Sequence, residues 1–125
     1  MVASNEDIRS TVQRYLDLVA TGTAEEIVAL YAPDATLEDP VGKDPLVGHE
    51  AIHGFYASFV EMKKETKLIT LRACGGHAAF HFEIVTDAGE MKYRMAPLEV
   101  MTFDDAGLIT SMRAFWSDED LVVEA

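Results

Sequence analysis

Two carboxyl groups and one tyrosine of this 125-residue chain occupy positions that the sequence pattern predicts to be buried. Asp39 shares one face of a predicted strand with Ala35 and Leu37, because successive side chains of a strand alternate between its two faces. Glu99 and Tyr15 likewise fall at apolar positions, one in a later strand and one in the first helix. Burying an ionised carboxylate is costly, so such groups are usually paired, neutralised or functional. A carboxylate base with proton donors in a dry pocket predicts proton transfer with stabilisation of an oxyanion.

The periodicity around each residue supports this prediction. Glu99 lies in a predicted strand over residues 91–103, at the same parity as Met91, Tyr93, Met95, Met101 and Phe103. Tyr15 lies on the apolar stripe of a helix that begins at Ser4 and ends at Thr21-Gly22, together with Ile8, Val12, Leu16 and Val19. Glu38 has the opposite parity from Asp39, so alternation selects Asp39 as the inward acid.

Each of the three residues also has a purely structural interpretation. Asp39 precedes Pro40, and an Asp-Pro pair is typical of a turn at the end of a strand. Glu99 would be an ordinary edge residue if the strand register differed. Tyr15 would be a core tyrosine if its hydroxyl bonded to the backbone. The occurrence of all three on apolar faces favours a site.

His49 to His53 read HEAIH, which matches the short HExxH pattern of zinc peptidases. No third ligand is identifiable by spacing. Glu50 also stands at a predicted helix start, where a negative charge is favoured by the helix dipole. The segment therefore predicts a surface helix, and we expect no metal and no cofactor.

The remaining pattern predicts three helices followed by a sheet. A Thr23–Glu26 capping box opens a second helix with inward residues Ile27, Leu30 and Tyr31, and a third helix from His49 carries apolar Ile52, Phe55, Tyr56, Phe59 and Val60. A short strand is expected at residues 35–39, and further strands near 67–75, 77–86, 91–103 and 108–116. The turns DAGE and DDAG favour antiparallel neighbours. We expect an α+β fold, with three N-terminal helices packed on a curved antiparallel sheet in a single domain of residues 1–125.

Composition narrows the function classes. Apolar residues make up 49% of the chain, and 10 basic against 22 acidic residues give a net charge of −12. This charge disfavours nucleic acid and anionic membrane surfaces as partners, because both are bound through basic residues. The chain has one cysteine, Cys74, so no intrachain disulfide is expected, and a cytoplasmic location is predicted. No apolar stretch is long enough for a membrane span.

Two segments resemble the bacterial Δ5-3-ketosteroid isomerases, which have the cone-shaped fold shared with nuclear transport factor 2. The first is RYLDLVATGTAEEIVALYAPDATLEDPVG, residues 14–42, in which the tyrosine, LYAPDAT and EDPVG blocks fall at the family's spacing. The second is LEVMTFDDAGLITSMRAFWSDEDL, residues 98–121, which is similar to the family's closing hairpin. GFY around Tyr56 resembles its third helix. The resemblance implies the cone-shaped fold for this chain.

The resemblance also implies roles for particular residues. Asp39 matches the catalytic base and Tyr15 the principal oxyanion-hole donor. Glu99 stands where the family usually has a protonated aspartic acid as second donor. Binding or supporting residues are expected in Tyr31 and Tyr56, behind Tyr15, and in Trp116, Met101 and Phe103 around the pocket. These roles are implied by the resemblance to the ketosteroid isomerases. The choice of Asp39 and Glu99 by parity, in contrast, follows from the residues of this sequence alone.

The implied activity is isomerisation of a 3-oxo-Δ5-steroid, moving the 5,6 double bond to the 4,5 position through a dienolate, by a homodimer joined through the outer sheet face. One alternative is a non-catalytic carrier or sensor of apolar ligands, which has little use for a carboxylate on an apolar face. Another is an epoxide hydrolase or dehydratase on the same fold. Those enzymes need an Asp-Arg-Asp water site or a histidine pair. Arg94 lies at the opposite parity from Glu99, and the parity of Arg113 is ambiguous, so this alternative is weaker.

Overall fold

Three helices pack against a large curved sheet in the computed structural model, which describes residues 2–59 and 61–125. The helices are α1 (Asn5–Thr21), α2 (Ala24–Val28) and α3 (His49–Ala57). The strands are β1 (Tyr31–Glu38), β2 (Leu46–Val47), β3 (Lys63–Cys74), β4 (His77–Asp87), β5 (Lys92–Met95), β6 (Leu98–Phe103), β7 (Ile109–Phe115) and β8 (Val122–Glu124). A 3-10 turn at Asp118–Asp120 precedes β8. The predicted α+β architecture with N-terminal helices is confirmed.

The predicted capping residues set the starts of the first two helices. The Ser4 hydroxyl accepts a 3.1 Å hydrogen bond from the backbone N–H of Asp7, and α1 follows it directly. Thr23 and Glu26 form a complete capping box before α2. The predicted apolar stripe of α1 is buried, with Tyr15 only 3% exposed. Val60, predicted on the apolar side of the third helix, lies outside the described residues.

The sheet is mixed, which corrects the expectation of an antiparallel sheet. Its strand order is β2-β1-β7-β6-β4-β5-β8, with β3 paired to β4, and β1 runs parallel to β7. The chain passes through α3 and five strands between β1 and β7, so no tight turn sets their relative direction. The pairs joined by the predicted turns, β4 with β5 and β6 with β7, are antiparallel as expected.

Proline accounts for two other differences from the predicted elements. The expected strand over 91–103 is divided into β5 and β6 at Ala96-Pro97, since proline lacks the N–H needed to continue a ladder. The register of β4 with β5 pairs Tyr93 with Thr86, which keeps Tyr93 on the sheet face of Glu99 as parity predicts, but Met91 and Tyr93 are each 37% exposed. Tyr31 begins β1 instead of ending α2, because the residue before Pro33 favours extended backbone.

The inner face of the sheet and the helices enclose the apolar core. Met101, Met112, Ile109 and Leu37 are among its most deeply buried side chains. No helix within the described ranges is long and apolar enough to span a membrane. The core fills one part of the interior, and an open cavity occupies the part next to Glu99 and the β5 end of the sheet.

Candidate active site

A cavity of about 380 Å³ lies between the helices and the inner face of the sheet. Its apolar walls include Phe55, Phe82 and Ile84. Five of the residues predicted from the sequence line it together: Tyr15, Asp39, Tyr56, Glu99 and Trp116. A pocket of this size, mostly apolar with a few convergent polar groups, is typical of a small-molecule site.

Three buried tyrosine hydroxyls form a hydrogen-bonded chain that leads from Tyr31 to the cavity-lining residues Tyr56 and Tyr15. The hydroxyl oxygens of Tyr31 and Tyr56 are 2.6 Å apart, and those of Tyr56 and Tyr15 are 2.9 Å apart. Two hydrogen bonds use two of the three hydroxyl protons. If Tyr31 donates to Tyr56 and Tyr56 donates to Tyr15, the remaining O–H belongs to Tyr15, which lines the cavity.

The electrostatic surroundings keep these three hydroxyls protonated. Burial raises the pKa of Tyr15, Tyr31 and Tyr56 above the ordinary value, and the carboxyl of Glu99 adds to the rise. Chains of hydrogen-bonded hydroxyls in a low-dielectric setting polarise one another. Tyr15 is therefore protonated, and its hydroxyl oxygen is hydrogen-bonded to Tyr56. In this arrangement its own O–H can donate to an acceptor in the cavity.

Asp39 follows the last residue of β1 and reaches the cavity wall as the parity of that strand predicts. Ala35 and Leu37 are each 1% exposed on the inner face, whereas Glu38 on the outer face accepts a 2.9 Å hydrogen bond from Arg113. Desolvation raises the pKa of Asp39, while a hydrogen bond from Trp116 and the positive charge of Lys43 lower it. A carboxylate whose pKa is raised toward neutral pH is a stronger base than an ordinary carboxylate.

Glu99 is the deepest acid of the cavity. Its side chain is buried, at 3% exposed, and its Oε1 has no hydrogen-bond partner among the described residues. Desolvation raises the pKa of Glu99 well above its ordinary value, and the nearby charge of Asp39 raises it further. The protonated form of Glu99 is favoured, because a proton on one of two neighbouring carboxyl groups removes the repulsion between two negative charges. A neutral Glu99 can donate a hydrogen bond into the cavity.

The predicted pocket roles of Met101 and Phe103 need correction. Both side chains belong to the buried core and are not among the described residues lining the cavity. The inner face of β6 passes from the cavity at Glu99 to the core at Met101, which pairs with Met112 of β7. Tyr31 also lies off the cavity, in the supporting position behind Tyr56 that was expected for it.

Sequence reasoning missed two lysines of the cavity wall, Lys43 and Lys64. Lys64 lies in the charged run KKETK, whose composition is typical of a connection between a helix and a strand. In the structure β3 begins at Lys63, and Lys64 has the same parity as the half-buried Thr66 and Leu68. Extending the alternation of β3 by four residues toward its N-terminus would have placed Lys64 on the inner face.

The two histidines of HEAIH contact different groups. His49 Nε2 lies 2.8 Å from the carbonyl oxygen of Tyr31, and His53 Nε2 lies 2.8 Å from Oε1 of Glu25. These contacts tie α3 to the start of β1 and to α2. They give both histidines structural partners, as expected for a surface helix.

The arginines considered for a hydrolytic site bond to acids away from the cavity lining. Arg94 donates to Glu83 and to Glu124, both at 3.0 Å, and Arg113 donates to Glu38. These pairs join neighbouring strands of the sheet.

Comparisons with known proteins agree with this fold and cavity. The SnoaL-like domain family matches residues 12–112. A steroid Delta-isomerase from Nocardioides simplex is 54% identical over 117 residues, which cover 94% of this chain and 95% of that protein. The solved structure of SalBIII, described as an epoxide hydrolase/cyclase-like enzyme with a role in pyran ring formation in polyether salinomycin, superposes with a TM-score of 0.88 at 28% identity, covering 95% of this chain and 97% of that one. The chain therefore belongs to the SnoaL-like domain family and has the nuclear transport factor 2-like fold.

Proposed function

We propose that this protein is a steroid Δ-isomerase that converts 3-oxo-Δ5-steroids into their conjugated Δ4 isomers. The observation that carries the proposal is the placement of one carboxylate base, Asp39, and two neutral donors, Tyr15 and Glu99, in a single apolar cavity. The 54% identity to a protein named steroid Delta-isomerase supports the same reaction.

The reaction transfers one proton and shifts one double bond. Asp39 removes a proton from C4, and the electron pair left behind forms a dienolate whose negative charge lies on the C3 oxygen. Tyr15 and protonated Glu99 donate hydrogen bonds to that oxygen, which stabilises the charge as it develops. Asp39 then returns the proton to C6, so the carboxylate is regenerated and no other reactant is consumed.

The polar groups of the cavity favour an isomerase over a simple carrier. A carrier of apolar ligands gains nothing from burying Glu99, because desolvating a carboxyl costs free energy. The likeness to SalBIII raises a second candidate, a hydrolase or cyclase of epoxides. The Asp-Arg-Asp arrangement considered for that chemistry finds no support here, since Arg94 and Arg113 engage Glu83, Glu124 and Glu38 instead.

A direct assay tests the proposal. The protein is incubated with androst-5-ene-3,17-dione, and the conjugated enone is followed by its ultraviolet absorbance. We expect rapid isomerisation that a chelator does not change, because side chains supply every proton transfer. Loss of activity in chelator together with stoichiometric zinc would point to the HEAIH segment, and absence of turnover with intact steroid binding would point to a carrier.

The proposed active form is a homodimer joined through the outer face of the sheet. This face carries a groove of about 390 Å³ whose lining includes Ala79, Val100, Leu98 and Phe115. Leu98 and Phe115 are cross-strand neighbours and are 54% and 40% exposed. An apolar patch of this kind is typical of an interaction surface. A cytoplasmic location is proposed with it, on the sequence evidence given above.

Sedimentation equilibrium tests the dimer. We expect a wild-type dimer and a monomeric Leu98→Glu variant, because a carboxylate would be buried without a partner in the interface. Val47→Glu is the matched control, since Val47 is 63% exposed on β2, an edge strand three places from β6 in the sheet order. A monomeric wild-type protein would contradict the proposal.

A further inference from the structure

The cavity extends in one direction from Glu99, along the inner face of β4. Phe80 of β4 pairs with Glu99, and the lining residues Phe82, Ile84 and Thr86 follow it at every second position. On the other side of Glu99 the same face of the sheet is covered by the core. Six residues separate Phe80 from Thr86, which is about 20 Å of extended chain at about 3.3 Å per residue. A ligand whose ketone binds at Glu99 therefore directs its other end toward Thr86.

This path along β4 is longer than the ring system of a steroid. The four fused rings span about 10 Å from C3 to C17, because each C–C bond is about 1.5 Å long. The rings therefore cover about half of the path when the C3 ketone binds at Glu99. The inner face beside Thr86 is left to the group that the steroid carries at C17.

The inner face beyond the rings continues as an apolar surface outside the cavity. Thr86 pairs with Tyr93 of β5, and Tyr93 pairs with Val123 of β8, so these three side chains form one row on the inner face. Tyr93 and Val123 are 37% and 47% exposed, and the cavity-lining Met62 is 39% exposed. We call Met62, Tyr93 and Val123 the apolar rim. Exposed apolar side chains grouped at the opening of a cavity are typical of a binding surface.

The charge of Lys64 is directed away from this surface. Lys64 pairs with Thr86, and its Nζ donates hydrogen bonds of 2.8 Å and 2.7 Å to the backbone carbonyls of Phe59 and Met62. These bonds place Met62 at the same end of the cavity as Thr86. They also engage the ammonium group within the protein, so the methylene groups of Lys64 are the part of this side chain that suits an apolar ligand. The acids among the described lining residues are those of the reaction centre. This end of the cavity therefore suits a hydrocarbon group.

We propose that the inner face beside Thr86, together with the apolar rim, is a binding subsite for a hydrocarbon side chain at C17 of the steroid. The inference rests on the proposed function, which sets the orientation of the rings through the C3 ketone. The preferred substrates are then 3-oxo-Δ5-steroids that keep an alkyl side chain, as in cholest-5-en-3-one, rather than those with an oxygen at C17. Each methylene group of the side chain that leaves water raises the affinity about fourfold.

Equilibrium dialysis with three product-like ligands tests the subsite without requiring turnover. The ligands are androst-4-en-3-one, which has no substituent at C17, pregn-4-en-3-one, which has an ethyl group there, and cholest-4-en-3-one, which has a long branched alkyl chain. All three are supplied from the same cyclodextrin solution, which keeps them soluble. We expect the affinity of the wild-type protein to rise in this order.

Two adjacent valines of β8 provide a matched pair of variants. Val123→Gln should lower the preference for cholest-4-en-3-one over androst-4-en-3-one about 3–10-fold, because it replaces part of the apolar contact with a polar amide. Val122→Gln is the control. Val122 is 50% exposed and pairs with Arg94 on the outer face, so this variant should leave the preference unchanged. Met62→Gln should lower the preference as Val123→Gln does. Comparing one ratio between variants cancels the difference in solubility of the ligands.

The outcomes separate this inference from the proposed function. Equal affinity of the wild-type protein for the three ligands would overturn the subsite. An unchanged preference in both Val123→Gln and Met62→Gln would also overturn it, and so would an equal loss of preference in Val123→Gln and Val122→Gln. A preference for the long side chain without isomerisation of any Δ5 steroid would support the subsite and contradict the isomerase. Isomerisation of androst-5-ene-3,17-dione without such a preference would do the reverse.

Discussion

The indole Nε1 of Trp116 donates a 2.6 Å hydrogen bond to Oδ1 of Asp39, although 77 residues separate them. Asp39 directly follows β1 and Trp116 directly follows β7, and these two strands are parallel neighbours. Parallel strands end at the same edge of a sheet, so the two side chains meet there. The hydrogen bond fixes one carboxylate oxygen of the proposed base and leaves the other oxygen to accept a proton from substrate.

Trp116→Phe tests whether this bond sets the protonation of the base. The variant keeps an aromatic ring but lacks the N–H donor. In the wild-type protein that donor favours the ionised form of Asp39, because it donates a hydrogen bond to the carboxylate. We expect the pKa of Asp39 to rise, so the acid limb of the pH profile of kcat/KM should move to higher pH. Lys43→Met should shift the limb in the same direction, because it removes a positive charge that lowers this pKa. An unchanged profile in both variants would show that desolvation alone sets the pKa.

Asp39→Asn tests the base itself. The amide has the same size and cannot accept the proton, so we expect a folded protein that still binds steroid and loses about 10²–10⁴-fold or more in turnover. Glu38→Gln is the control, since Glu38 lies on the outer face in its pair with Arg113. Steady-state isomerisation and dialysis of a product steroid measure the two quantities. Full activity of Asp39→Asn with an inactive Glu38→Gln would reverse the parity assignment.

Local periodicity predicts most of the site, and long-range pairing explains what it misses. Asp39, Glu99 and Tyr15 were identified from alternation or helical spacing, because a residue's face follows directly from its neighbours in the same element. The bond between Trp116 and Asp39 depends on the parallel pairing of β1 with β7, which no local pattern encodes. Lys64 was missed because β3 begins within a charged run. In such a run the sequence does not distinguish a lysine that faces inward from its solvent-exposed neighbours.

Met101 shows the complementary limit of periodicity. Parity gives the face of β6 on which it lies, and that face is buried as predicted. The helices and neighbouring strands decide where along this face the core ends and the cavity begins. Glu99 borders the cavity and Met101, two residues on, is packed in the core.

Tyr15→Phe tests the oxyanion donor at the end of the tyrosine chain. Removing its hydroxyl should lower kcat by about 10²–10³-fold, or about 3–4 kcal/mol, as for other single oxyanion-hole donors. Binding of a ground-state steroid should change much less, because the bond strengthens as charge develops. Tyr31→Phe provides the comparison and should have a smaller effect on kcat, since Tyr31 acts on Tyr15 through Tyr56. Equal losses of kcat and binding in Tyr15→Phe would indicate a packing role.

Glu99 joins function and stability through one proton. Its pKa in the folded protein is raised by burial and by Asp39, above an unfolded value of about 4.3. The native state therefore holds a proton that the unfolded chain has released, so the stabilising contribution of Glu99 is complete below the unfolded pKa and is lost as pH rises toward the folded pKa.

Glu99→Gln keeps a hydrogen-bond donor but removes the titration. We expect it to retain much of the activity and to flatten this part of the pH dependence of the free energy of unfolding, measured with urea. Glu99→Ala should lose more turnover, because it removes the donor and leaves a void. Carbon-13 NMR titration of the glutamate side chains reads the pKa directly, and a Glu99 carboxyl that is already ionised at pH 5 would exclude it as the second donor.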